Sequence, residues 1–170
     1  MSGGATNDIV MNTYKVDKLR EAVKLAYEAG IDLGDPMILY NERYVEYLIA
    51  DKLGHTKDEH TQGADAYNEK GLPVEYKSIN LDSKGPVKYK CWQWHWNKPS
   101  KLEKLKQVDQ IFCATRRGAE IDEIYELPVS VAVSLAEERI LNESTTGVFD
   151  KSGFSFTIDK LLELGGRKVA

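Results

Sequence analysis

Two N-terminal segments carry apolar residues at the spacing of an amphipathic helix. The first runs from Lys15 to Ala29 and is followed by Gly30, a residue that commonly ends helices. The second follows the breaker Gly34-Asp35-Pro36, takes Asn41 as its N-cap and ends at Gly54. The apolar positions of the first helix are Val16, Leu19, Val23 and Tyr27, and the second helix has a core stripe of Val45, Leu48, Ile49 and Leu53. The pattern predicts two helices, the second with a stripe that faces the core.

Beyond a polar loop, the spacing changes to the alternation that is typical of strands. It predicts a short strand over 64–67, a turn over 68–71 and a strand over 73–79. After a second turn, a strand over 87–96 places its three tryptophans on one face. Ser100 and Glu103 form a capping box that opens a lysine-rich helix, which ends near Val108.

The last part of the pattern is a hairpin and a helix. Strands over 110–115 and 121–127 flank the tip Arg116-Arg117-Gly118, and a buried helix covers 129–141. The element order predicts an α/β (α+β) fold, with a central mixed β-sheet of about five strands flanked by helices. No repeat or linker divides the chain, so we expect one domain over 1–170. Its parts are an N-terminal helical part (about 15–54), a catalytic sheet (about 63–127) and a C-terminal helix and tail (128–170).

Composition and charge restrict the class of protein. The chain contains no run of about 18 apolar residues, so we expect no membrane span. The first residues lack the basic and apolar regions of a secretory signal. Two unpatterned cysteines, Cys91 and Cys113, are typical of free thiols, so we expect a cytoplasmic protein, with one disulfide as the alternative. The net charge is −4, yet lysines outnumber acids strongly between residues 84 and 106. That local excess permits a DNA-binding face but is equally typical of a solvated surface.

One acid-x-lysine sequence stands out by its context. The pattern occurs twice, as Glu75-Tyr76-Lys77 and as Asp82-Ser83-Lys84. Glu75 and Lys77 leave the same face of a predicted strand, whereas the second pattern lies in a predicted turn. The turn over 68–71 folds the preceding strand back, and this brings Asp65 near Glu75.

Such a grouping favours a bound cation. Two carboxylates 4 Å apart repel by about 4 kcal/mol at an effective dielectric constant of ~20, and a cation between them removes that cost. A small set of hard oxygen ligands suits Mg²⁺, which keeps several waters and accepts phosphate oxygens. Lys77 can orient the attacking water or help to deprotonate it, so the residues fit phosphodiester hydrolysis.

Glu42 is the candidate fourth member of the site. On the second helix it lies closer to the centre of the apolar stripe than Glu46 does, and a carboxylate turned toward the core needs a partner. Glu46 is the substitute candidate. Alternatively, Glu42 simply complements the positive end of the helix dipole.

The stretch from Asn41 to Ser78 resembles the PD-(D/E)XK nuclease superfamily, and most closely its small type II restriction endonucleases. The resemblance lies in Glu42-Arg43, in Gly63-Ala64-Asp65 and in Val74-Glu75-Tyr76-Lys77-Ser78, with Ala64 in place of the proline that names the motif. It implies a restriction-endonuclease-like sheet between helices. It also implies metal ligation by Asp65 and Glu75, water activation by Lys77, and support of the metal or its water by Glu42.

Several further residues are candidates for contacting DNA. Arginines at a hairpin tip can pair with guanine or grip phosphate, and the segment before the lysine-rich helix can bind phosphate at the helix N-terminus. The candidates are Gln93, His95, Asn97, Lys98, Ser100, Arg116 and Arg117. His55 and His60 fit no helical zinc pair, so we expect them in a solvated loop.

These inferences predict a Mg²⁺-dependent endonuclease that cuts both strands of double-stranded DNA at a specific sequence. One centre per chain cuts one strand, so a homodimer is expected, and the first helix is a candidate for its interface. A Holliday-junction resolvase and a homing endonuclease on the same core remain alternatives. A non-catalytic DNA-binding protein that keeps the fold is a third.

Overall fold

The computed structural model describes residues 5–57, 64–94, 99–146 and 154–170, without the side chains of 5–14, 143–146 and 154. It confirms the predicted mixed α/β class, because helices flank a mixed sheet. The chain divides into two compact units, Met1–Tyr44 and Val45–Ala170. None of the described helices combines the length and the apolar character that a bilayer crossing requires.

The N-terminal unit is built on one long helix, α1 (Ala5–Asp32). The predicted stop at Gly30 was wrong, because this glycine lies inside the helix and serves close packing instead. A Cβ placed there would lie 2.6 Å from Ile38 Cγ2 and 2.7 Å from the Asp35 carbonyl oxygen. Beyond α1, Asp35 and Arg43 form a buried ion pair with Nη2–Oδ2 at 2.7 Å, which fixes the segment between them.

The predicted N-cap of the second helix was also wrong. Asn41 and Glu42 have positive φ angles of 50° and 59° and lie at the end of a 3-10 turn. Such a left-handed pair cannot belong to a right-handed helix, so α2 begins only at Arg43 (Arg43–Leu53). The predicted apolar stripe is confirmed at its centre, where Val45 and Ile49 are buried.

A six-stranded sheet organises the described part of the second unit. Its strands, in chain order, are β1 (Thr56–Lys57), β2 (Ala66–Tyr67), β3 (Pro73–Asn80), β5 (Gln110–Arg117), β6 (Glu120–Leu127) and β8 (Arg167–Lys168). They lie in that same order across the sheet. Neighbours are antiparallel except β3 and β5, which are parallel. The predicted hairpin is confirmed as β5–β6 and the predicted strand over 73–79 as β3, although β5 is buried along most of its length rather than alternating.

The tryptophan strand was predicted incorrectly in two respects. Residues Val87–Tyr89 form a 3-10 turn, and among the described residues of this stretch the strand, β4, comprises Trp92–Trp94. This strand pairs with β7 (Phe154–Phe156) in a separate two-stranded sheet. Trp92 and Trp94 are buried there, and the Trp92 indole donates to the Ala114 carbonyl oxygen at 2.8 Å. Trp96 lies outside the described residues.

Three helices complete the unit. They are α3 (Pro99–Leu105), α4 (Val129–Thr146) and α5 (Ile158–Glu163). The predicted capping box was wrong, because α3 begins at Pro99 and Ser100 is already inside it. Leu102, Leu105, Ala132 and Ala136 join a core with Ile79, Ile111, Cys113 and Leu127 of the sheet. Helices α3 and α4 therefore cover one face of β3 and β5.

Candidate active site

The turn between β2 and β3, which folds the segment of Asp65 back along β3, is held by the side chain of Asn68. The Asn68 amide oxygen accepts from the backbone N–H of Lys70 at 3.1 Å and of Leu72 at 3.0 Å. Its Nδ2 donates to Asp109 Oδ2 and Gln110 Oε1, both at 2.9 Å, and so ties the turn to the start of β5. Asn68 is buried, so these bonds are protected from water. One side chain thus closes the turn and anchors it to the sheet.

Asp65 lies across from Glu75 because the two strands are in a fixed register. Ala66 pairs with Val74, and the Asp65 N–H donates to the Val74 carbonyl oxygen at 3.1 Å. The Asp65 carboxylate accepts from the Tyr76 N–H, with Oδ2–N at 2.7 Å. The predicted approach of Asp65 to the strand of Glu75 is therefore present.

Glu75 and Lys77 leave β3 on the same face, as the alternation predicted. Val74 and Tyr76 are buried on the opposite face. The Lys77 ammonium contacts Glu75 Oε1 and donates to the Tyr76 carbonyl oxygen at 3.1 Å. The side chains of Lys77 and Glu75 are 25% and 23% exposed, so the pair is sheltered but still open to a small ligand.

The electrostatics of the cluster show the cost of holding two carboxylates together. Burial and the Glu75 charge raise the pKa of Asp65 to about 7, although Lys77 and the Tyr76 N–H oppose the change. Burial alone would lower the pKa of Lys77, but the Glu75 and Asp65 carboxylates outweigh it and raise that pKa. The ammonium therefore stays charged at neutral pH, whereas ionisation of the Asp65 carboxyl is opposed. The cluster has an excess of negative charge that Lys77 compensates only in part.

The floor beneath the cluster is apolar. In the parallel pairing of β3 and β5, Glu75 lies beside Ile111 and Lys77 beside Cys113. Both floor residues are fully buried, and burial raises the pKa of the Cys113 thiol far above its usual range. The thiol is therefore neutral and unreactive here. Charges above such a floor are poorly screened, which strengthens any interaction with a cation.

Glu46, the substitute candidate on α2, adds to the negative charge around Asp65, whereas the role expected of Glu42 stays a prediction. Glu42 lies in the left-handed turn of the N-terminal unit. Glu46 lies in the first turn of α2 and pairs with Lys57 of β1 at 2.8 Å between Oε2 and Nζ. After burial and Glu75, its charge is a further cause of the raised pKa of Asp65. The substitute candidate therefore lies within electrostatic reach of the site.

The opposite face of β3 holds an aromatic support that the sequence did not indicate. His55, expected in a solvated loop, instead hydrogen-bonds Tyr76, with Nδ1–Oη at 2.8 Å, and lies 5.3 Å from the Phe112 ring. Burial lowers the pKa of His55 despite the opposing charge of Glu69. The sequence could not indicate this contact, because a lone histidine after a helix-ending glycine is common in exposed loops. The contact fixes Tyr76, whose backbone N–H holds Asp65.

The candidate DNA contacts fall into different environments. Gln93 and Ser100 are exposed. Arg116 is buried, with Nη1 at 3.4 Å from the Gly118 carbonyl oxygen. Arg117 is exposed and pairs with Asp122 at 3.2 Å and Asp82 at 3.9 Å. His95, Asn97 and Lys98 lie outside the described residues, so the predictions for them are unchanged.

The carboxylates of the cluster are the donors available to the Mg²⁺ that the resemblance implies. Among the residues with described positions, no three His, Cys, Asp or Glu side chains converge into a group that could hold a metal. The cluster offers two carboxylates, Asp65 and Glu75, on an apolar floor. That number is too small for zinc or calcium but fits Mg²⁺, which retains most of its water. The raised pKa of Asp65 also fits a site where a cation would relieve repulsion.

Comparisons with known proteins add no family. No protein-family model matches the chain, and none of the curated proteins matches it either.

Proposed function

We propose that this protein is a Mg²⁺-dependent endonuclease that hydrolyses phosphodiester bonds of double-stranded DNA. The observation that supports this most directly is the arrangement of Asp65, Glu75 and Lys77. Two carboxylates and one ammonium meet on an apolar floor, and burial together with the neighbouring charges raises the pKa of Asp65, while the two carboxylates raise that of Lys77. Perturbed titratable groups in one sheltered place are typical of active sites.

The carboxylates are proposed to hold the metal. Asp65 is fixed by the Tyr76 N–H and Glu75 by Lys77, so neither needs a large movement to bind an ion. When bound, Mg²⁺ would supply Lewis-acid stabilisation of the phosphate and a more acidic water. Its positive charge would also offset the repulsion from Glu75, which, after burial, contributes to the raised pKa of Asp65.

Lys77 is proposed to orient water and to stabilise negative charge. With its pKa raised, the amine already carries a proton and cannot accept another one from water. A charged ammonium can donate hydrogen bonds to a water molecule or to a phosphate oxygen. Of the two roles expected from the sequence, orientation therefore has the stronger support.

DNA is the proposed substrate because the resemblance and the lysine distribution both favour it. Lys84, Lys88, Lys101 and Lys104 are exposed in the segment that is rich in lysine. Phosphate backbones bind such local excess charge even when the whole protein is acidic. Both cysteines are free thiols, which agrees with a proposed location inside the cell.

The decisive experiment is cleavage of plasmid and phage DNA with Mg²⁺. Discrete fragments would support a sequence-specific cutter, and cleavage of four-way junctions alone would favour a resolvase. Lys77→Ala should lose cleavage by about 10²–10⁴-fold while DNA binding, measured by fluorescence anisotropy, is retained. Lys160→Ala, which removes an exposed lysine of α5, is the matched control. Tight DNA binding without cleavage under any divalent ion would replace this proposal with a binding protein.

A further inference from the structure

The loop over 81–91, which joins β3 to β4, is closed by the ammonium of Lys90. Its Nζ donates to the carbonyl oxygens of Asn80 at 3.3 Å and Leu81 at 2.7 Å, and to both the carbonyl and the hydroxyl oxygen of Ser83. Several oxygens that converge on one cation hold this part of the backbone in a fixed course. The charge of Lys90 is therefore used inside the loop.

The same loop is fixed to the tip of the β5–β6 hairpin. The Gly118 N–H donates to Asp82 Oδ2, and Arg117 Nη1 lies 3.9 Å from Asp82 Oδ1. Asp82 is the only acidic residue between positions 81 and 91, so these contacts engage the one negative charge of the loop. Its outer surface is therefore left with cations that can meet phosphate without a competing carboxylate.

Three side chains extend from this fixed loop into solvent, namely Lys84, Lys88 and Tyr89. In the part of the chain that the structure describes, neither lysine is paired with a carboxylate. Tyr89 is 68% exposed and is the only exposed aromatic ring among the described side chains of 45–170. The Lys88 ammonium lies 4.9 Å from the centre of this ring. An exposed ring between cations is the arrangement on which nucleic-acid bases stack.

The loop begins where the strand of the candidate site ends. Strand β3 carries Glu75 and Lys77 and ends at Asn80. Three residues of strand span about 10 Å, which corresponds to about three base pairs along B-DNA. A single DNA molecule that reaches the carboxylate cluster is therefore long enough to reach the loop as well.

We propose that Tyr89 stacks on a base of the bound DNA while Lys84 and Lys88 contact neighbouring phosphates. Every base has a π face, so this contact adds affinity without reading the sequence. In a duplex the ring reaches a base face only where two base pairs separate, so the contact also opens the DNA locally. The inference rests on the proposed function, since it takes DNA as the substrate.

The test is DNA binding by the full chain, measured by fluorescence anisotropy on a labelled duplex in EDTA, which prevents Mg²⁺-dependent cleavage. Tyr89→Ala should weaken binding about tenfold at every salt concentration, because it removes the stacked ring but no charge. Tyr89→Phe, which keeps the ring, should bind within about twofold of the wild type. Lys84→Ala and Lys88→Ala should each reduce the slope of log affinity against log salt concentration by about 0.9, which is the effect of one lost phosphate contact.

Two substitutions on α5 are the matched controls. Lys160→Ala removes one positive charge, and Leu162→Ala removes an apolar side chain that is 45% exposed. Both should leave the affinity and its salt dependence unchanged. Thermal unfolding checks that each variant is folded. If Tyr89→Ala does not fold, Tyr89→Gln, which keeps a long side chain without the ring, takes its place.

Four results would overturn the inference: wild-type binding by Tyr89→Ala, equal losses in Tyr89→Ala and Tyr89→Phe, an unchanged salt slope in either lysine variant, or an equal loss in a control. Cleavage of plasmid DNA by the wild type with Mg²⁺ is measured separately. If the wild type binds through Tyr89 but does not cut, the inference stands and the proposed hydrolysis fails. If it neither binds nor cuts DNA, both fail.

Discussion

Replacing Asp65 with asparagine should stabilise the protein in the absence of metal. The pKa of Asp65 is about 7 in the folded chain, compared with 3.8 for the free side chain, because of burial and the Glu75 charge. Asparagine removes the charge but keeps an oxygen that can accept from the Tyr76 N–H. The substitution therefore removes an electrostatic penalty with little loss of hydrogen bonding.

The size and sign of the effect follow from proton linkage. Below about pH 4 the carboxyl is protonated in both folded and unfolded chains, and it carries no penalty. Between about pH 4 and pH 7 the folded chain keeps a proton that the unfolded chain has lost, so the free energy of unfolding falls as pH rises. Roughly three pH units at 1.36 kcal/mol each give a ceiling of about 4 kcal/mol. Solvent around the half-buried side chain reduces this to about 2 kcal/mol.

Urea unfolding of the wild type and Asp65→Asn between pH 4.5 and 8 measures the difference. We expect the variant's advantage to grow with pH and to level off above pH 7. Asp51→Asn, an exposed position on α2, should change stability by less than about 0.5 kcal/mol. Saturating Mg²⁺, at about a hundred times its dissociation constant, should add about 2.7 kcal/mol to the wild type and much less to the variant. A variant that is less stable than the wild type at pH 8, or an advantage independent of pH, would refute this account of the cluster.

Three further predictions concern the stability of the fold. Asn68→Ala should lower the free energy of unfolding by about 2–3 kcal/mol in urea titrations, because it leaves buried groups of the β2–β3 turn without partners; Glu69→Ala, exposed in the same turn, is the control. Gly30→Ala should cost about 1–3 kcal/mol, seen by circular dichroism, because its Cβ would meet Ile38 and the Asp35 carbonyl oxygen. Trp92→Phe should cost about 1–3 kcal/mol in the same assay through loss of its bond to Ala114. A change below 0.5 kcal/mol in any of the three would contradict the packing described for that residue.

The sequence predicted best the elements whose partners lie close along the chain. The hairpin β5–β6 and the turn between β2 and β3 need only local signals, so alternation and turn residues located them. The tryptophans of β4 show the limit of this reasoning. Alternation correctly predicted that Trp92 and Trp94 share a buried face, but it carries no information on the strand that pairs with them. That partner, β7, comes from a tail in which strand and helix signals conflict.

The two candidates Glu42 and Glu46 show why periodicity could not choose the fourth member of the site. The expectation that Glu42 faces the core assumed a continuous helix from Asn41 onward. Asn41 and Glu42 instead take left-handed backbone angles, so Glu42 precedes the helix and helical spacing does not determine its direction. Once α2 begins at Arg43, Glu46 lies in the first turn, where a carboxylate complements the helix dipole. The Glu46 carboxylate pairs with Lys57, which lies on a strand of two residues that is too short for periodicity to detect. The position of each candidate fourth member thus depends on the backbone turn before α2, while the arrangement of Asp65, Glu75 and Lys77 depends only on one strand and the turn before it.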